Sequence, residues 1–156
     1  GLPRTIQTGA HMAERRNIKI ESYPQLKEYQ WDPKSFKNND VKQFGYLFEN
    51  SKSKEAIGGI EEADEFYERV ANQIQNILKE EWNQIALVLH GAVNAAIMCW
   101  MSDIDISFAS KFDQDHAALN ILDIDITENG KIIRKSIRRY NIPPDLSDVD
   151  SDIRSS

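Results

Sequence analysis

A histidine set between an aliphatic run and a glycine is a natural place to look for chemistry, and here it reads Ile85-Ala86-Leu87-Val88-Leu89-His90-Gly91-Ala92-Val93. The continuous apolar run suits a strand covered on both faces in a parallel sheet. The stretch from Gly91 to Met101 suits an apolar helix. Open α/β sheets bind ligands beyond the carboxyl ends of their strands, and the free N–H groups of a helix's first turn attract anions. His90 therefore stands where an imidazole could meet an anionic ligand. A core histidine satisfied by backbone is the plainer alternative, but the carboxyl end of a strand is an unusual place to hide one. Cys99 is the only cysteine, which excludes an internal disulfide and cysteine-rich zinc sites. It lies in an apolar run and reads as buried. His116 has no partner that spacing identifies.

The 156 residues carry a formal charge of −6, with four aspartates against one arginine in the last twelve. Such a chain has no overall attraction for nucleic acid or anionic membranes, so any anion site must be local. A balance of 40% apolar and 28% charged residues is that of an ordinary soluble domain. No apolar run reaches the roughly 18 residues of a membrane span, and no basic-then-apolar leader opens the sequence; the expected location is cytoplasmic. Arg134, Lys135, Arg138 and Arg139 alternate with apolar residues, which suits a solvated sheet face or edge better than nucleic-acid contact. Trp31, Trp82 and Trp100 read as packing residues.

The elements that must position His90 follow from periodicity and turn residues. Leu2 to Arg16 reads as a helix with Pro3 in its first turn and Asn17 as its stop. Ile18, Ile20 and Ser22 alternate with polar residues as a short strand. Tyr23 to Gly59 is loop-rich, with Pro24, Pro33 and Asn38-Asn39. From Glu61 to Trp82, Phe66, Val70, Ile74, Ile77 and Leu78 recur at helical spacing, and Glu61, Glu62, Asp64 and Glu65 suit the positive N-terminal end. Ala117–Ile126 and Lys131–Tyr140 flank Thr127-Glu128-Asn129-Gly130, where Asn-Gly supplies the positive backbone angles of a tight antiparallel hairpin. This order predicts an α/β fold. Pro143–Ser156, rich in Asp and Ser and without aromatics, reads as an acidic, disordered tail.

The wording around these positions resembles the histidine phosphatase superfamily, the phosphoglycerate-mutase-like proteins. Its second catalytic histidine follows an apolar strand and precedes a glycine and an apolar helix, as His90 does. Its Ser-x-Leu-x-Arg-x-x-x-Thr motif is matched from Leu2-Pro3-Arg4-Thr5-Ile6-Gln7-Thr8, with the serine falling before residue 1. Leu26-Lys27-Glu28 matches a Leu-x-Glu motif after the next strand. Gly59-Ile60-Glu61-Glu62 and Arg69-Val70 loosely match a Gly-Glu-Ser motif and the Arg-Val closing its helix. The resemblance covers the C-terminal two-thirds of such a domain.

The resemblance implies a three-layer α/β/α sandwich with a mostly parallel sheet and a C-terminal antiparallel hairpin, residues 1–142 forming the domain. It implies that Arg4 grips a transferring phosphoryl group through the planar fork of its guanidinium. His90 then donates to an equatorial oxygen, the Gly91 backbone helps hold the phosphate, and Glu28, kept protonated, protonates the departing alkoxide. Such a site requires no metal or cofactor. The implied partner is a small phosphorylated substrate or inorganic phosphate; a homodimer is compatible, and nucleic acid and membrane are not expected.

One part of the family pattern is missing. The nucleophile is a histidine in an Arg-His-Gly motif, and no Arg-His-Gly occurs in these residues. His11 does not easily replace it, because seven helical residues from Arg4 correspond to about 10 Å of rise. The expectation is therefore a phosphatase, rather than a mutase, whose phosphohistidine lies upstream of residue 1, with a noncatalytic phosphate-binding or interaction domain as the alternative. The Gly9-Ala10-His11-Met12 segment also resembles the remnant of an affinity tag, although Arg4 and Thr8 fall in phase with the family motif.

Overall fold

Pro3 opens the first helix, α1 (Pro3–Glu14), where a ring without an N–H sacrifices no intrahelical bond. The computed structural model describes residues 3–30 and 61–144. Asn17 ends this region with a left-handed φ of 52°, and the Ile18 N–H reaches back to the Ala13 carbonyl at 3.0 Å, satisfying an acceptor the last turn leaves open. Helical bonding stops before Arg16, because the Arg16 and Asn17 N–H groups already bond three residues back, at 3.1 and 3.3 Å, in a tighter turn.

The chain divides into two compact units, Gly1–Phe112 and Asp113–Ser156. In the first, residues 18–22 run without turn or bend before a 3₁₀ turn, Pro24–Leu26. Leu26 and Tyr29 are buried and bring this segment onto α2 (Ala63–Ile77). Phe66, Val70, Ile74 and Ile77 line the inner stripe of α2, as their spacing predicts; burying each such side chain contributes about 1.5–3 kcal/mol. The stripe packs on α3 (Gly91–Ser102). That helix is buried from Ala92 to Met101 at every position but Asn94, which is why its sequence is apolar all round. Asp103, with φ 54°, closes α3, and the Ile104 N–H returns to the Cys99 carbonyl at 3.1 Å. A 3₁₀ helix, Ile106–Lys111, follows with Ile106 and Ala109 buried. No periodic pattern announces it.

Two expected strands find no ladder partner among the described residues. Residues 18–22 and 85–89 form no sheet pairing among the described residues, and Ile85, Ala86 and Leu87 are exposed rather than covered on both faces. Aliphatic composition favours a strand only where neighbouring strands can pair with it, and the described residues place none there.

The second unit is built on β1 (Leu119–Ile126) and β2 (Ile132–Ile142), antiparallel as the sequence predicts. In its turn only Gly130 takes a positive φ, 80°; the Gly130 N–H donates to the Thr127 carbonyl at 2.8 Å and the Thr127 N–H to the Lys131 carbonyl at 2.9 Å. The loop is thus a turn completed by a left-handed glycine, and Asn129 needs no positive angle. Arg134 lies opposite Asp125 in register and pairs with it at 2.6 Å, while Arg138 pairs with Asp123 at 3.3 Å. These basic residues sit on a solvated sheet face. The chain is therefore a mixed helix and strand protein with a C-terminal antiparallel hairpin, the only sheet among the described residues. No helix among the described residues is long and apolar enough to cross a membrane. The loop region beyond Gln30 and most of the expected acidic tail lie outside the described residues.

Candidate functional site

Arg4 stands in the first turn of α1, and His90 is the residue that caps the N-terminus of α3. The His90 backbone is extended, with φ −110° and ψ 164°, and its carbonyl accepts the Asn94 N–H at 2.9 Å. The two side chains meet, with Arg4 Nη2 3.4 Å from His90 Nδ1. A guanidinium can only donate, so Nδ1 presents its lone pair to Arg4 and the ring proton resides on Nε2. That Nε2 is buried and has no hydrogen-bond partner among the described residues, in a residue only 6% exposed. A buried N–H without an acceptor costs about 1–3 kcal/mol. An oxygen of a bound ligand would remove that cost.

Electrostatics agree with a neutral ring. Burial, joined by the positive charge of Arg4, holds the His90 pKa below its ordinary value. Glu28 is the third group, with Oε2 4.0 Å from His90 Nδ1, too far for a hydrogen bond. Burial raises the Glu28 pKa and outweighs the N–H groups of Tyr29, Ala92 and Val93 and the charge of Arg4, all of which lower it. Ala92 and Val93 belong to the first turn of α3, so the Glu28 carboxyl group faces the same helix end that could receive an anion. At Gly91 an added Cβ would meet nothing among the described residues within 4 Å.

Glu28 is positioned by residues that spacing did not single out. The Tyr29 N–H donates to Glu28 Oε1 at 3.0 Å. The Tyr29 ring packs edge-on against Phe66, centroids 5.1 Å apart at 79°, and its hydroxyl donates to the Glu61 carbonyl at 2.7 Å. Arg69 lies over the Phe66 ring at 5.1 Å, donates to the Gln25 and Lys27 carbonyls, and grips Glu61 through Nε–Oε1 at 2.6 Å and Nη2–Oε2 at 2.8 Å. Arg69 thus ties α2 to the segment that carries Glu28. Its place in the loose Arg-Val match was the one signal it left in the sequence, and Tyr29 left none.

The four residues named from the sequence, Arg4, Glu28, His90 and Gly91, come together in the first unit. His11 is exposed on α1, and His116 belongs to the second unit. The model of the Histidine phosphatase superfamily (branch 1) matches residues 1–136. The chain belongs to the histidine phosphatase superfamily. No curated protein and no solved structure matches it. The superfamily match includes the Gly9-Ala10-His11-Met12 segment, which counts against its being a tag remnant. Membership supports phosphatase-like or phosphoglycerate-mutase-like chemistry in general terms.

Proposed function

We propose that this superfamily member is a phosphate-monoester hydrolase whose phosphoryl seat is the hollow between Arg4, His90 and the first turn of α3. The observation that carries this reading is the Arg4–His90 contact at 3.4 Å beside a buried His90 Nε2–H that lacks an acceptor among the described residues. Arg4 neutralises charge on the phosphoryl oxygens, and Nε2–H donates to one of them.

The covalent step uses a histidine outside these residues, since Arg-His-Gly is absent from them. Its imidazole nitrogen forms a bond to phosphorus as the ester P–O bond breaks, and the Glu28 carboxyl proton goes to the departing alkoxide. Glu28, now ionised, takes a proton from water as the water oxygen attacks phosphorus. The P–N bond breaks and inorganic phosphate leaves. The raised Glu28 pKa supports its acting as the acid. In this reading residues 18–22 and 84–89 are parallel strands of a three-layer α/β/α sandwich, and the site lies at their carboxyl ends.

A polypeptide containing these residues and an Arg-His-Gly segment should release phosphate from an aryl phosphate, and His90→Ala should reduce turnover by a hundredfold or more. The absence of Arg-His-Gly also favours a second reading, a noncatalytic phosphate-binding domain. That reading predicts phosphate binding sensitive to His90→Ala but no turnover even with the added segment. Loss of neither binding nor turnover in His90→Ala would refute both.

A further inference from the structure

We infer that Arg69 is a positioning residue for Glu28, its guanidinium fixing the peptide from which that carboxyl group reaches the first turn of α3. Glu28 stands on a short irregular segment that follows the 3₁₀ turn Pro24–Leu26, and no helix or sheet ladder among the described residues holds its backbone. Its direction has to be set by other means. Arg69 stands in the middle of α2, and every nitrogen of its guanidinium is engaged. Nε and Nη2 hold the two oxygens of Glu61 at 2.6 and 2.8 Å. Nη1 donates to the carbonyls of Gln25 and Lys27, the second at 3.2 Å. The Lys27 carbonyl belongs to the planar peptide that leads into Glu28, so this contact fixes the plane from which Glu28 departs.

A lysine could not make the same arrangement, because an ammonium group does not present a planar fork to a carboxylate while it reaches two carbonyls. The guanidinium also lies 5.1 Å from the centre of the Phe66 ring. The same ring receives Tyr29 edge-on, and Tyr29 supplies the N–H that bonds Glu28 Oε1 at 3.0 Å. Arg69 therefore acts on both neighbours of Glu28, on Lys27 through a carbonyl and on Tyr29 through Phe66. Held in this way, the Glu28 side chain is 24% exposed, 4.0 Å from His90 Nδ1 and within reach of the Ala92 and Val93 N–H groups.

The role in turnover rests on the phosphatase reading, in which Glu28 gives its proton to the departing alkoxide; the seating of Glu28 does not. Release of the segment would let water reach the carboxyl group, and burial is the main cause that raises its pKa. The group would then ionise more readily and lose its alignment with the leaving oxygen.

The test is the double variant Arg69→Met with Glu61→Gln, which frees both carbonyls yet leaves no shielded charge unpaired. It removes one charge of each sign, so a change at Glu28 reports position rather than net field. The first readout is a carbon-13 NMR titration of the Glu28 carboxyl group in the chain itself. The expected result is a Glu28 pKa that falls toward its ordinary value of 4.5, while Ile74→Val, a core change in the same helix, leaves it raised. A Glu28 pKa unmoved in the folded double variant, or moved equally by Ile74→Val, would overturn the inference by showing that Arg69 only stabilises. Should the double variant not fold, Arg69→Lys keeps a cation for Glu61 without the fork and has to move the Glu28 pKa in the same direction; an unmoved value overturns the inference again.

The second readout is kcat/KM, which reports transfer to the histidine, in a polypeptide that also carries Arg-His-Gly. The double variant should lose about tenfold or more with an alkyl phosphate, whose leaving oxygen needs the acid, and far less with a nitrophenyl phosphate, whose leaving group does not. Equal losses on both substrates would overturn the role in turnover. No turnover of either substrate by the parent would remove the phosphatase reading instead, and the titration alone would decide the seating of Glu28.

Discussion

Arg4 and His90, 86 residues apart in the sequence, are joined by a contact of 3.4 Å between Nη2 and Nδ1, and its polarity fixes which ring nitrogen carries the proton. At pH 7 the His90 ring should be neutral with Nε2 protonated, which nitrogen-15 shifts of the ring will report. Since the Arg4 charge lowers the His90 pKa, Arg4→Ala should raise it, as read from an NMR titration. A ring protonated on Nδ1 at neutral pH would contradict the assignment.

Arg4→Lys should weaken inorganic phosphate binding about tenfold, roughly 1.4 kcal/mol, because an ammonium group replaces a planar fork with a point charge. Calorimetric titration measures this directly. Undiminished affinity would remove Arg4 from the anion seat.

Glu28 and His90 give stability opposite dependences on pH. The Glu28 pKa is raised in the folded protein, so its contribution is present below the ordinary carboxylate value and is lost as pH rises through the folded value. The His90 pKa is lowered from 6.5, so its contribution is present above about 6.5 and is lost as pH falls toward the lower folded value. Glu28→Gln removes only the first dependence. Its urea midpoint should exceed the parent's at pH 8 and converge with it at pH 4.5. A midpoint lower at pH 8 than at pH 4.5, relative to the parent, would show that the ionised carboxylate stabilises the fold.

The Arg69–Glu61 pair is largely shielded, with side chains 16% and 14% exposed. Arg69→Ala should cost about 3–5 kcal/mol, since it leaves a partly buried carboxylate unpaired. Arg69→Met combined with Glu61→Gln should cost clearly less than the two single changes added together, because neither leaves a charge behind. Chemical denaturation supplies all of these values. Simple additivity would mean the pair does not act as a unit.

Cys99 is buried in α3, and burial first, then the charge of Asp105, pushes its thiol up to about 11. At pH 8 it should resist a thiol reagent in the folded protein and react promptly in denaturant, as the thiolate is the reactive form. Rapid labelling without unfolding would show that α3 opens locally.

Much of the local structure was legible in the sequence. The positions of Phe66, Val70, Ile74 and Ile77 located α2, although it ends at Ile77 rather than continuing to Trp82, Asn17 marked the turn that follows α1, which itself ends at Glu14, and the stretch after His90 located α3, because helix periodicity and caps are encoded within a few residues. The hairpin was equally local, although its turn uses a positive φ only at Gly130. His90 could be singled out from its place between an aliphatic run and a helix, and Arg4 and Glu28 from their motif matches.

Tertiary structure alone decided the rest. A strand is defined by its partner, so the aliphatic composition of residues 84–89 could not say whether their backbone groups would be paired. Nor could the sequence show that Tyr29 and Arg69 fasten Glu28 to α2, since each works through carbonyls and a ring brought close by folding. Residue types supplied a guanidinium, an imidazole and a carboxyl group. Their convergence, the His90 tautomer and the opposite pKa shifts of His90 and Glu28 arise from distance and burial, which exist only once distant segments share one interior.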